Sequence, residues 1–138
     1  MKILKSLAIA TIATTTLLMA SCKKQDPKDQ EIVKYEKKHD TAVLLVTFGS
    51  TFDDPHTTYK KQIADFEKAF PNADVFFSFT SRTCINRWQA AKNEQFITPD
   101  LWFKSFLQKD YKTVLVQSLH VIPGEEFTLL RDGYVKPH

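Results

Sequence analysis

The sequence predicts an α/β domain, a parallel sheet with helices packed against it. Three observations point there. A continuous apolar run at 42–48 reads as a strand buried on both faces. Further Val- and Phe-rich runs at 74–79 and 114–119 read as two more strands. The segments between them carry apolar residues at helical spacing, and alternating strands and helices imply right-handed crossovers.

The chain begins with Lys2 and Lys5, then a mildly apolar run diluted by Thr11, Thr14, Thr15 and Thr16. The run is too short and polar for a spanning helix and fits an export signal over 1–21. It ends in Leu17-Leu18-Met19-Ala20-Ser21-Cys22, small residues before a cysteine, as in a bacterial lipobox. The expectation is a lipid on Cys22 and a protein held in the cell envelope. The plainer alternative is a secretory signal with an incidental cysteine. Residues 22–40 are polar and charged and read as a tether, or as a short exposed helix near 31–38. The domain proper then runs over 41–138. Cys84 is the second of two cysteines, so a disulfide scaffold is excluded, and it reads as half-buried and structural.

Strand one ends at Gly49-Ser50-Thr51. A helix follows, capped by Asp54 with Pro55 at its first position, and Tyr59, Ile63, Phe66 and Phe70 line one face. Pro71-Asn72 ends it. Strand two runs into Thr80-Ser81-Arg82. A short helical piece over 85–91 turns Ile85 and Trp88 inward. Thr98-Pro99 opens the next helix, with Trp102, Phe103, Phe106 and Leu107 on its apolar face. Strand three ends at His120. Pro123-Gly124 turns the chain, and Glu125-Glu126 open a further helix with carboxylates at its favourable end.

The formal charge is +3. Lys2 and Lys5 belong to the signal, and without them the balance falls to +1. No concentrated basic face remains for nucleic acid. The sequence holds no Walker loop, GxGxxG, GxSxG or CxxC motif.

Ligands of open parallel sheets bind beyond the carboxyl ends of the strands. That rule gathers Ser50 and Thr51, Thr80, Ser81 and Arg82, and His120 with Glu125 and Glu126. His120 can bind a divalent metal or accept a proton, with carboxylates to hold ring or metal. It can equally be a strand-end histidine bonded to backbone. Glu125 and Glu126 can be simple N-terminal helix charge, and Arg82 either an anion clamp or a surface ion-pair partner. His56, in the first turn of the first helix, is a weaker candidate for the same rim. His39 falls in the tether, and His138 is the last residue.

Three strings stand in order: Leu44-Leu45-Val46-Thr47-Phe48-Gly49-Ser50-Thr51, Phe79-Thr80-Ser81-Arg82, and Val116-Gln117-Ser118-Leu119-His120-Val121-Ile122-Pro123-Gly124-Glu125-Glu126-Phe127. Together they closely resemble the sirohydrochlorin cobaltochelatase family of anaerobic cobalamin biosynthesis, over about residues 41–127. The resemblance implies a two-lobed fold, of which this chain supplies the first lobe. It implies a tetrapyrrole such as sirohydrochlorin in the cleft and Co2+ as the substrate metal. His120 matches a family position in the first lobe and, from its place on the rim, is the candidate catalytic residue. His120, Glu125 and Glu126 are candidate metal contacts, and Ser50, Thr51, Thr80, Ser81 and Arg82 candidate substrate contacts. With no second lobe before His138, the chain is expected to be a truncated, inactive form, or one that pairs as a homo-oligomer to rebuild a cleft. The rival function is an exported, membrane-anchored lipoprotein that binds haem, another tetrapyrrole or metal without catalysis. A third reading is an α/β fragment with no ligand.

Overall fold

The computed structural model describes residues 32–137. The expected signal at 1–21, the expected lipidation site Cys22, the first part of the expected tether and His138 lie outside the described residues.

The expected α/β architecture is present. Strand β1 (Thr41–Thr47) is central in a three-stranded sheet of order β2-β1-β3, parallel to β2 (Asp74–Phe79) and β3 (Thr113–Ser118). Thr47 pairs with Phe79, and Val46 with Ser118, so all three strands end at the same rim. β1 is buried on both faces, as its unbroken apolar run requires. Ala42, Leu44 and Val46 face one layer, with Trp102, Phe103, Phe106 and Leu130. Val43 and Leu45 face the other, with Phe77, Phe79 and Ile85. Alternate residues of one strand therefore nucleate two cores.

Helix α1 (Asp53–Ala69) lies on the second layer and packs Tyr59, Ile63 and Phe66 there. It starts one residue before the expected cap: Phe52 is the N-cap and makes no side-chain cap, while Asp53 and Asp54 supply negative charge to the first turn. Phe70 ends the helix, stacked on Phe66 with ring centroids 5.9 Å apart. Helix α2 (Arg82–Lys92) covers the expected 85–91 and buries Ile85 and Trp88. Helix α3 (Pro99–Gln108) crosses to the first layer with Trp102, Phe103 and Phe106 inward. Leu107 departs from expectation and is 65% exposed. Residues 102, 103 and 106 set the buried arc, and Leu107 lies past its edge.

After β3 the chain forms α4 (Glu125–Thr128), which continues as a π-helical segment (Leu129–Val135). Leu130, 2% exposed, plugs the first layer. β3 is the less covered edge. Val114 and Val116 are half-buried, but Leu115 on its other face is 42% exposed.

Residues 32–40, expected to be solvated, are laid against the domain. Their burial alternates residue by residue, with Val33, Tyr35, Lys37 and His39 facing inward. Val33 and Tyr35 join the first core layer, and the Tyr35 ring packs on Phe76, Trp102 and Tyr111. Cys84 is a free, half-buried thiol on the second layer, as expected.

Candidate functional site

In this strand order the chain leaves β1 toward β2 on one side and returns to β3 on the other. The topological switch point therefore lies between the ends of β1 and β3. A groove of about 530 Å3 opens there. Thr47, Phe48 and Gly49 come from the β1 end, Tyr59 from α1, and residues 119–122 and 124–127 from the β3 end and the start of α4. Most of its wall is apolar, with His120, Glu125 and Glu126 as the ionisable groups among Tyr59 and the main chain. Gly49 has φ +105°, and a Cβ there would stand 2.7 Å from the Phe79 ring. Only glycine lets the β1 backbone turn this tightly over the aromatic core.

His120 is held from two sides. Ser118 Oγ lies 2.9 Å from Nδ1 and also accepts from the His120 N–H at 3.3 Å. Thr80 Oγ1, from the end of β2, lies 3.4 Å from Nε2. The Ser118 hydroxyl can satisfy Nδ1 in either tautomer, so the ring is oriented while Nε2 keeps a weak, long contact. Partial burial lowers the His120 pKa from its usual value, against the opposing charge of Glu126. At neutral pH the imidazole is therefore a neutral base with a carboxylate within electrostatic reach.

His120 and Thr80 thus meet, as the strand-end rule expected, and Glu125 and Glu126 line the same groove. Among the described residues no three His, Cys, Asp or Glu side chains form a ready-made metal-ligand group. Ser50, Thr51, Ser81 and Arg82 do not line the groove. Ser50 is used inside its loop: its Oγ accepts from Phe52 N–H and its carbonyl from His56 Nε2 at 2.9 Å. Thr51 is exposed in the turn before α1. Ser81 is buried and caps α2 through Cys84 N–H. Arg82 lines a separate pocket of about 310 Å3 with Asn86, Gln95, Thr98 and Asp100. Burial first, then Asp100, raises the Tyr134 pKa, while Arg82 opposes the rise and Glu126 adds to it. One tyrosine therefore feels both the cation and the groove's carboxylate.

His56 does not face the groove. It is 5% exposed and stacked on Trp88, with ring centroids 3.4 Å apart. Sequence reasoning did not assign Ser118, Tyr59 or Phe127 to the site. Ser118 carried a signal, being a hydroxyl two residues before His120 and on the same side of an otherwise apolar strand. Tyr59 and Phe127 carried none beyond apolar periodicity.

Strand order and groove together define an α/β lobe with an open groove at the strand carboxyl ends. Residues 41–136 match the family described as Cobalt chelatase (CbiK), and the chain belongs to that family. The match runs beyond residue 127, where the recognisable strings stop, so the tail through the π-helical segment is part of the family pattern. The chain is 31% identical to sirohydrochlorin cobaltochelatase of Salmonella typhimurium over 90 residues, which is 62% of this chain and 33% of that protein. It is 32% identical to sirohydrochlorin cobaltochelatase CbiKC of Nitratidesulfovibrio vulgaris over 100 residues, which is 72% of this chain and 34% of that protein. The chain spans about a third of the length of the curated relatives it matches.

Proposed function

We propose that this lobe takes part in inserting Co2+ into a tetrapyrrole of the sirohydrochlorin class, with the groove between the β1 and β3 ends as its share of the substrate cleft. The observation that carries the reading is His120, a neutral imidazole oriented by Ser118 and set in a groove with apolar walls and a nearby carboxylate. Family membership and the names of the two relatives support the chemistry.

Metal insertion needs two things. Pyrrole N–H protons must leave, and a partly dehydrated cation must be handed over without being trapped. A neutral histidine suits the first need, because its base strength matches neutral pH. A His–carboxylate pair suits the second, because two protein ligands hold a divalent ion more loosely than a closed set of four. The apolar walls, Phe48, Leu119, Ile122 and Phe127 among them, suit the face of a macrocycle. Thr80 positions the imidazole. The lipobox-like run ending at Cys22 supports a lipid-anchored location in the cell envelope.

The test is to mix the purified chain with sirohydrochlorin and Co2+ and follow the tetrapyrrole absorption spectrum. The reading predicts metallation faster than in the protein-free control. Spectral binding of sirohydrochlorin or haem with no gain in metallation would support a binding role instead. No spectral change at all would refute both.

A further inference from the structure

The opposite pole of the sheet carries a second polar cluster, built around one buried carboxylate. Asp74, the first residue of β2, is 9% exposed. Its Oδ2 accepts from Lys38 N–H at 2.9 Å, His39 N–H at 3.2 Å and Tyr111 Oη at 2.5 Å. Its Oδ1 lies 2.9 Å from His39 Nδ1. Two of these donors are main-chain groups of the segment 32–39, which is neither helix nor strand.

That segment is held in an unusual way. Ile32 N–H donates to the Gln108 side chain, and Lys109 Nζ donates to the Tyr35 carbonyl. Lys37 Nζ reaches the Asp110 carbonyl. Among the described residues, main-chain to main-chain pairing begins only at Asp40, whose carbonyl accepts from Lys112 and Thr113 N–H. The segment is thus attached through side chains, whereas the strand that follows is attached through a ladder. A region with few ladder bonds opens locally at lower cost than the sheet it rests on.

We propose that residues 32–39 are a detachable strap, latched by the Asp74 carboxylate, that opens as a unit over the aromatic slot of Phe76, Trp102 and Tyr111 while the sheet stays intact. Opening would free eight residues, about 28 Å of extended chain. It would also uncover the slot that Tyr35 fills, with ring centroids 5.0 Å from Phe76 and 5.6 Å from Trp102. The proposal is independent of the chemistry assigned to the groove at the other pole.

The sign of its acid response follows from the partners. Burial alone would raise the Asp74 pKa, but the hydrogen bonds from Tyr111, Lys38 N–H and His39 outweigh it and hold it below the ordinary carboxylate value. The latch is therefore fully closed above that ordinary value and loosens as pH falls through the lowered one. The other charged groups on this pole are Lys37, over the Tyr111 ring and paired with Asp40, and Lys112, paired with Asp110. Asp40, Asp110 and Lys112 are exposed and Lys37 is half-buried, so salt weakens these pairs before it weakens the latch.

Residue-resolved amide hydrogen exchange on the full chain tests this. In the wild type, Lys38 and His39 amides should be protected, but less than those of β1. Asp74→Asn should speed strap exchange about tenfold, as loss of a charge-assisted bond implies, with strap amides still exchanging faster than those of β1. Tyr111→Phe, a milder change should Asp74→Asn fail to fold, should move the strap in the same direction by a smaller factor. Unprotected strap amides in the wild type would overturn the latch. Equal protection of strap and β1 amides in the wild type would overturn its independence.

Discussion

Two histidines sit at opposite ends of one sheet, and the contrast between them separates a ring tied to a buried carboxylate from one that borders an open groove. His39 is tied to a carboxylate that also takes a tyrosine hydroxyl and two main-chain N–H groups, and all of these partners belong to the protein itself. His120 touches two hydroxyls, one of them at a long 3.4 Å, and borders an open, mostly apolar groove. A ring tied to a buried carboxylate that the fold engages from several sides helps to hold that fold. Hydrogen bonding that orients a ring but leaves one nitrogen loosely engaged prepares it for a ligand or a proton. His56, buried against Trp88 and bonded to the Ser50 carbonyl, belongs with His39.

The comparison can be broken most severely at Asp74. Asp74→Ala strands several donors at the buried pole and should cost about 3 kcal/mol of stability, seen as a lower urea midpoint at unchanged slope. Sirohydrochlorin binding per folded molecule should not change. At the other pole the effects should reverse. His120→Ala should slow metallation about 100-fold, the low end for loss of a positioned general base, with the urea midpoint nearly constant. Ser118→Ala removes only the group that aims the ring, so a loss of about tenfold is expected, with recovery in Ser118→Thr.

The smallest effect is on pH. Because burial holds the His120 pKa below its usual value, the imidazole remains a base through neutral pH. Metallation should decline only as pH falls below about 6.5, and His120→Gln should flatten that limb of the profile. The stability sign runs the same way: the folded state resists protonating His120, so acid below the unfolded value favours unfolding.

Much of this was legible in the sequence, for reasons that differ between the two poles. β1 was readable because burial on both faces leaves no polar position in 42–46. The meeting of Thr80 and His120 was readable because parallel strands end at one rim. The strap was not readable. Its inward positions alternate correctly, but two of the four are Lys37 and His39, which hide the period in a charged stretch. Edge exposure at Leu115 was hidden for the opposite reason, since an apolar residue left uncovered looks the same in sequence as one that is buried. Ser81 and Arg82 adjoin Thr80 in sequence, but α2 begins there and turns them away from the groove, one into a cap and the other into a neighbouring pocket.

The most direct test of the account places the two poles side by side. Metallation of sirohydrochlorin by Co2+ is measured for the wild type, His120→Ala and His39→Ala, each rate divided by the folded fraction from the same sample. The account predicts that His120→Ala falls to about a hundredth of the wild-type rate while His39→Ala keeps nearly all of it. Equal rates for the two variants, whether both high or both low, would contradict the assignment of the groove at the β1 and β3 ends as the site of chelation.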